Sequence, residues 1–191
     1  MLKEYYQAGV LEGGCDEAGR GCLAGPVYAA VVVAGEGFDV PGLNDSKKLT
    51  GKQRYDLREL IMERALAWAV ASADNMEIDR VNIRVASIMA MHRAIDKLTI
   101  KPGHLIIDGD YFIPYDGIPF HTVTGGDGRY RAIAAASVLA KTFRDDYMKR
   151  IHAEHHYFGW DRNKGYPTRQ HRAAINLFGT TVYHRRSFRM Y

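Results

Sequence analysis

The sequence predicts a single α/β domain, because apolar runs of strand length alternate with stretches of helical periodicity along the chain. The chain has 191 residues, which is enough for one domain with a sizeable core. The expected order is two strands, a helix, a strand, a helix, two strands and two helices. We expect one domain over residues 1–191, with a flexible C-terminal arm over about 180–191.

Composition and charge exclude some classes of protein. Hydrophobic residues make up 47% of the chain, yet no apolar run reaches the ~18 residues of a membrane span. The N-terminus shows no signal-peptide pattern, so we expect a cytoplasmic protein with no membrane partner. Cys15 and Cys22 are too few for a disulfide framework, and their spacing matches no usual zinc site. The net charge of +4 is compatible with a polyanionic partner.

Two strands open the chain, over residues 9–17 and 26–34, and a glycine-rich turn joins them. The second strand, VYAAVVVA, is apolar on both faces, which is typical of a central strand covered on both sides. A polar loop with two lysines follows. Thr50 and Gln53 then form a capping box, which predicts a helix over about residues 52–64.

The rest of the chain continues the alternation. It predicts strands over residues 65–73, 104–110 and 118–127, helices over 82–98 and 130–151, and a last helix from the Thr168 cap to Phe178. In the strand over 65–73, large side chains alternate with alanines. This pattern predicts that a helix packs closely on the alanine face.

Carboxylates stand at the ends of three predicted strands, each beside glycine: Asp16, Glu17, Asp108 and Asp127. Converging carboxylates repel one another and stay ionised only beside a multivalent cation. All-oxygen ligation selects Mg²⁺ or Mn²⁺, so the pattern suits two-metal phosphodiester cleavage. Adjacent residues of a strand point to opposite faces. We therefore expect the first strand to end or bend between Asp16 and Glu17.

Several motifs carry a resemblance to a known family. In chain order they are DEAGRGCLAGPV, LNDSKKL, IIDGD, GGD followed by AAASVLAKTFRD, and NKGYPTRQH. They span roughly residues 13–178, and in this order they resemble ribonuclease HII. The resemblance implies an RNase H-like fold, with a central mixed five-stranded sheet flanked by helices and a helical C-terminal part. It also implies an endonuclease that cleaves the RNA strand of RNA–DNA hybrids. Such an enzyme further incises 5′ of a ribonucleotide embedded in duplex DNA, leaving 3′-hydroxyl and 5′-phosphate ends.

The resemblance also implies roles for individual residues. Metal-site acids of the family fall on Asp16, Glu17, Asp108 and Asp127, which would hold two Mg²⁺ or Mn²⁺ ions with substrate bound. Backbone groups of Gly19-Arg20-Gly21 would contact the 2′-hydroxyl that separates RNA from DNA. Tyr166 would pack on the sugar 3′ of the cleaved bond. Phosphates would be held by Lys47, Ser137, Lys141 and Arg144, the last three of which share one helix face.

The implied partners are the RNA–DNA hybrid and the ribonucleotide-containing duplex, and the enzyme is expected to be a monomer. Three alternatives are open from the sequence. Ribonuclease HIII would carry an additional N-terminal domain and a Gly-Lys-Gly-like turn in place of Gly19-Arg20-Gly21. Another nuclease or a transposase of the same superfold would lack LNDSKKL and the Tyr166 turn. The third is a catalytically dead hybrid-binding module, which four intact acids argue against.

A cluster of three histidines, His152, His155 and His156, has a spacing that could bind zinc on a helix. No fourth ligand is adjacent in sequence. A structural or surface role is therefore the favoured interpretation for this cluster.

Overall fold

The computed structural model describes residues 2–190. The strands are β1 (Glu12–Ala18), β2 (Val27–Ala34), β3 (Ala67–Ala73), β4 (His104–Asp108) and β5 (Phe120–Val123). They form one five-stranded sheet in the order β3-β2-β1-β4-β5. The β3-β2-β1 part is antiparallel, whereas β1, β4 and β5 run parallel to one another. The predicted central mixed sheet is therefore confirmed.

Helices cover both faces of this sheet. They are α1 (Gly51–Arg64), α2 (Asn75–Val81), α3 (Ile83–Asp96), α4 (Arg131–His152), α5 (Trp160–Asn163) and α6 (Arg169–Phe178). The α3 helix packs on the buried alanines of β3, as the alternating pattern predicted, and α1 and α4 cover the opposite face. Among residues 2–190, no helix is long and apolar enough to cross a lipid bilayer.

The contact between β1 and α4 is unusually close and sets the position of the acids. A Cβ at Gly14 would lie 2.3 Å from the backbone carbonyl carbon of Ala132, so only glycine fits at this point of β1. A run of fully buried small side chains on α4 continues the close packing. This approach brings Ser137 of α4 against the end of β1 where the first two acids lie.

The described residues contain two helices that the sequence patterns did not predict, α2 and the single-turn α5. The Asp74 side chain caps α2 by accepting a hydrogen bond from the Glu77 amide. Asn82, with φ of 69°, separates α2 from α3. The Asn82 side chain then accepts hydrogen bonds from the first amides of α3. Because α2 is short and buries only Ile78, it shows no apolar periodicity for a sequence pattern to reveal.

The C-terminal segment also differs from the flexible arm expected over about 180–191. The Arg185 amide donates to the Leu23 carbonyl at 2.8 Å, and the Gly25 amide donates to the Tyr183 carbonyl at 2.9 Å. His184 and Arg185 are buried, so two basic residues of the expected arm instead form hydrogen bonds inside the domain. Tyr191 lies outside the described residues.

Candidate active site

The four predicted acids lie at one edge of the sheet. Asp16 and Glu17 are near the C-terminal end of β1, and Asp108 is the last residue of β4. Asp127 lies in the 3₁₀ turn Gly126–Gly128 that follows β5. The parallel strands β1, β4 and β5 end at the same edge, which is why residues far apart in sequence meet here.

The strand β1 neither ends nor bends between Asp16 and Glu17, contrary to the expectation. Its pairing with β2 continues regularly to Ala18 opposite Tyr28. Its pairing with β4, however, stops at Cys15 opposite Ile107. The side of β1 toward β4 is therefore open beyond Cys15, and both carboxylates line the same cleft as Asp108. An open sheet edge thus brings together side chains that leave the strand on opposite faces.

Burial and mutual repulsion dominate the electrostatics of the acids. Burial raises the pKa of Asp16 well above its ordinary value, and the neighbouring Glu17 and Asp108 raise it further. Burial also raises the pKa of Glu17, against the opposing effect of Arg20. The pKa of Asp108 is raised by burial and by the charge of Asp127. A divalent cation bound here would favour the ionised forms and reverse these shifts.

Two cationic side chains neutralise part of this cluster. The Lys47 Nζ lies 2.8 Å from the Asp127 Oδ2, and the Arg20 Nη1 lies 3.2 Å from the Glu17 Oε1. The Lys47 side chain is 76% exposed, so it can leave Asp127 without disturbing the core. Within residues 2–190, no three His, Cys, Asp or Glu side chains are close enough to ligate one ion together. The donors nevertheless fit Mg²⁺ or Mn²⁺, since all of them are carboxylate oxygens.

Lys47 is held by a short, well-defined loop. Asp45 caps the 3₁₀ turn Ser46–Lys48 by accepting from the Lys47 amide at 2.9 Å. The Arg54 guanidinium on α1 donates to the carbonyls of Ser46 and Leu49, at 3.0 and 2.6 Å. The Ser46 hydroxyl also lies 2.8 Å from the Ser137 hydroxyl on α4. These contacts fix the loop beside the acids.

A cleft runs from the acids to Tyr166. It is lined by Asp16, Glu17, Gly19, Arg20, Gly21, Lys47, Asp108, Ser137, Lys141 and Tyr166, together with Ala18, Ser46 and Arg54. The Tyr166 side chain is partly exposed at one end, and Lys141 pairs with Asp145 on α4. The acids, a glycine-rich turn, cations and an exposed aromatic ring therefore share one surface, which suits a nucleic-acid strand.

Comparison with known proteins identifies the family. The sequence model described as Ribonuclease HII matches residues 13–191. The chain belongs to the ribonuclease HII family. The Ribonuclease HII of Bacteroides thetaiotaomicron is 57% identical over 190 residues, which cover 100% of this chain and 95% of that protein.

Solved structures share the fold. RNase HII in a PCNA complex from Archaeoglobus fulgidus matches with a TM-score of 0.79 at 24% identity, covering 94% of this chain and 95% of that one. Bst-RNase HIII in complex with Mn²⁺ matches with a TM-score of 0.69 at 19% identity, covering 95% of this chain and 68% of that one.

Membership in the ribonuclease HII family decides among the alternatives. The chain is a ribonuclease H, a divalent-metal-dependent hydrolase that acts on RNA–DNA hybrids. The family match favours ribonuclease HII over ribonuclease HIII and over other nucleases of the superfold. It also excludes the non-enzymatic hybrid-binding module.

Arg144 differs from the other residues expected to hold phosphates. Its side chain is buried, and its guanidinium donates to the carbonyls of Ala24, Pro26 and Lys164 at 3.1, 2.9 and 2.8 Å. A phosphate cannot reach a side chain in this position. Arg144 shares a helix face with Ser137 and Lys141, as its spacing indicates, but that face passes into the core after Lys141.

The histidine cluster forms no metal site among the described residues. The His152 Nε2 lies 3.4 Å from the Asp161 carboxylate, whereas His155 lies beyond α4 and packs against Trp160 and Tyr183. A structural or surface role for these histidines stays a prediction.

Arg185 supports the site and was missed by the sequence patterns. Its guanidinium donates to the carbonyls of Gly19 and Arg20. A single sequence offered only a basic, aromatic C-terminal stretch as a signal, and such a stretch is more often exposed.

Proposed function

We propose that this ribonuclease H also incises 5′ of a ribonucleotide embedded in duplex DNA, by two-metal-ion hydrolysis that leaves 3′-hydroxyl and 5′-phosphate ends. The observation that carries the proposal is the shared cleft. It joins buried acids with raised pKa values to the Gly19-Arg20-Gly21 turn and to Tyr166. A nick of this kind would begin the removal of ribonucleotides from DNA.

In the proposed mechanism, the four carboxylates hold Mg²⁺ or Mn²⁺: Asp16, Glu17, Asp108 and Asp127. When bound, the two ions would supply an activated water and neutralise charge on the cleaved phosphate. The Mn²⁺ complex of Bst-RNase HIII supports manganese as one such ion. Lys47 and Arg20, which pair with Asp127 and Glu17 at the edge of the cleft, would be placed to contact the substrate phosphates.

Recognition of the ribonucleotide falls to the other end of the cleft. The Gly19-Arg20-Gly21 turn presents backbone groups to the 2′-hydroxyl. Tyr166 packs on the sugar 3′ of the cleaved bond and favours a deoxyribose there. Lys47, Ser137 and Lys141 hold the flanking phosphates, which position the duplex without reading its sequence. A monomeric state and a cytoplasmic location remain predictions of the sequence.

The test is a cleavage assay on an end-labelled DNA duplex that carries one ribonucleotide, with Mg²⁺, Mn²⁺ or EDTA. We expect one cut 5′ of the ribonucleotide, a product that a polymerase can extend, and no cut in EDTA. Tyr166→Ala should lose most of this incision, whereas Tyr5→Ala, at an exposed tyrosine outside the cleft, should retain it. Cleavage of long hybrids with no incision at the single ribonucleotide would contradict the proposal.

A further inference from the structure

Residues 181–188 pass behind the Gly19-Arg20-Gly21 turn. The segment is tied to the chain that follows the turn by the two backbone bonds from Arg185 to Leu23 and from Gly25 to Tyr183. Asp79 of α2 fixes its far side by accepting from the amides of residues 186 and 187 at 2.9 Å each. The segment is thus anchored on two sides of the turn.

The Arg185 side chain reaches from this segment into the turn. Its Nη2 donates to the Gly19 carbonyl at 2.7 Å, its Nη1 to the Arg20 carbonyl at 2.8 Å, and its Nε to the Gly25 carbonyl at 2.9 Å. The residue is 0% exposed. Among residues 2–190 no carboxylate lies within ion-pair distance of it. Its hydrogen bonds all go to backbone carbonyls, and its guanidinium carbon lies 5.1 Å from the centroid of the Phe188 ring. Burial of an unpaired guanidinium costs free energy, which indicates a use beyond packing.

Arg144 confines the turn from the other side. Gly19 has φ of +97°, and a Cβ there would lie 2.0 Å from the Arg144 Nε. The turn is therefore enclosed between two buried guanidinium groups. Of these two side chains, Arg185 donates to the carbonyls of the turn, whereas Arg144 donates to the carbonyls of Ala24, Pro26 and Lys164. The Cys22 amide also donates to the Gly19 carbonyl, at 3.4 Å.

The bonds from Arg185 also determine where the amides of the turn point. In a planar trans peptide the C=O and N–H groups point in opposite directions. Because the Gly19 and Arg20 carbonyls face Arg185, the Arg20 and Gly21 amides face away from it, on the side of the cleft that both residues line. Within residues 2–190 neither amide donates a hydrogen bond. Two adjacent unpaired amides form a small site for an acceptor oxygen.

We propose that Arg185 is a positioning residue, which holds the Arg20 and Gly21 amides toward the cleft so that they recognise the 2′-oxygen of a ribonucleotide. This inference rests on the proposed function, because it assigns the cause of the ribonucleotide selectivity of the turn. Arg185 itself touches no substrate. Its loss should therefore reduce selectivity for a ribonucleotide more than overall affinity for a duplex.

The experiment measures binding without cleavage, in an Asp108→Asn parent. Selectivity is the Kd for an all-DNA duplex divided by the Kd for the same duplex with one ribonucleotide. Adding Arg185→Gln should lower this ratio about tenfold, as expected for the loss of one to two hydrogen bonds, while the Kd for the all-DNA duplex changes little. Arg186→Gln is the matched control, since Arg186 is an adjacent, exposed arginine outside the turn.

A second variant, Arg185→Lys, keeps the inference testable if Arg185→Gln does not fold. Arg185→Lys keeps the buried charge and some donor capacity, so it should fold and recover part of the selectivity, with thermal unfolding as the check on folding. Unchanged selectivity in both Arg185 variants would overturn the inference and leave the proposed function intact. Equal weakening of both duplexes would also overturn it, because that result indicates a purely structural role. A parent without selectivity would overturn the proposed function together with the inference.

Discussion

The cations that pair with the acids of the site are exposed rather than buried. Lys47 and Arg20 reach Asp127 and Glu17 from largely exposed positions, whereas Asp16 and Asp108 have no lysine or arginine partner among residues 2–190. The raised pKa values of Asp16 and Asp108 follow from this imbalance and from burial. Such an arrangement stores repulsion that a bound divalent ion would relieve, which would favour the proposed metal binding.

Asp108→Asn tests this balance at one residue. We expect cleavage of an RNA–DNA hybrid in Mg²⁺ to fall by more than about 100-fold, because loss of a ligand should exceed the 10–100-fold cost of losing an outer partner. Hybrid binding should survive, since Lys47, Lys141 and the rest of the cleft are unchanged. Asp116→Asn removes the same charge at an exposed position and should leave the rate unchanged. Wild-type turnover in Asp108→Asn would contradict the assignment of this acid.

The sequence allows the role of some residues to be predicted but not that of others. The convergence of the four acids could be predicted because they lie at or just beyond the ends of predicted strands, close to glycines, and parallel strands end at the same edge. Arg144 and Arg185 could not be assigned correctly, because the sequence does not show whether an arginine faces solvent or a set of carbonyls. Their roles depend on burial, which only the folded chain determines.

At the scale of elements, β1 and α4 form the frame of the site. Their close approach at Gly14 and Ala132 sets the distance between Asp16 and Ser137. The sequence predicted both elements. It could not predict that the open edge between β1 and β4 would unite Asp16 with Glu17, because pairing registers are tertiary information.

Gly14→Ala tests this frame. The added Cβ would lie 2.3 Å from a backbone carbon and 2.5 Å from the Ile133 amide nitrogen, neither of which can move freely. We expect the free energy of unfolding to fall by about 3 kcal/mol, near the upper end for overpacking. Gly51→Ala, at a helical position with open space around it, should be neutral or stabilising. Equal stability of the two variants in urea unfolding would show that the contact is looser than described.

The C-terminal segment is joined to the last helix by two buried histidines. The His171 Nδ1 lies 3.0 Å from the Tyr166 carbonyl and must donate to it, so its Nε2 accepts from the Trp160 indole at 3.0 Å. The His184 Nε2 lies 3.3 Å from the His171 Nε2 and donates to it. The His184 Nδ1 accepts from the Thr181 amide. Both rings are therefore neutral in the folded protein, and they support the backbone of Tyr166.

The pH dependence of stability tests this pair. Burial, and then the neighbouring His171, lower the pKa of His184 from 6.5 to about 4. Between these values the unfolded chain binds a proton that the folded chain does not, so the free energy of unfolding should fall as pH decreases from about 6.5 to 4. His184→Gln should weaken this dependence, which urea titrations of both proteins at several pH values would measure. Parallel pH profiles for the two proteins would contradict a neutral buried His184.

At the scale of the whole molecule, the residues proposed to bind the substrate and those proposed to cleave it share one surface. The cleft is lined by residues of the Gly19-Arg20-Gly21 turn, of the loop that carries Lys47, of α4 and of the segment before α6. Resemblance to a family could predict this gathering, and the family match and the sheet order confirm the fold. Composition alone could not predict that these residues come together, because a net charge of +4 does not show where the charges lie.

Salt dependence tests the cationic part of this surface. Binding of an RNA–DNA hybrid should weaken as salt rises, because phosphate contacts release counterions. Lys141→Gln should weaken hybrid and DNA duplexes alike and reduce the slope of log K against log salt by about one. Lys97→Gln, which removes an exposed lysine on the opposite side of the sheet, should leave the slope unchanged. Equal slopes for Lys141→Gln and wild type would place Lys141 outside the footprint.

The central claim is that the four acids at the sheet edge bind the ions that perform cleavage. Anomalous diffraction at the manganese edge tests it directly, on crystals grown with Mn²⁺ and a duplex that carries one ribonucleotide. The account predicts two peaks ~3.5–4 Å apart, in contact with carboxylates of Asp16, Glu17, Asp108 and Asp127. Manganese bound only elsewhere, or without contact to Asp16 and Asp108, would contradict it.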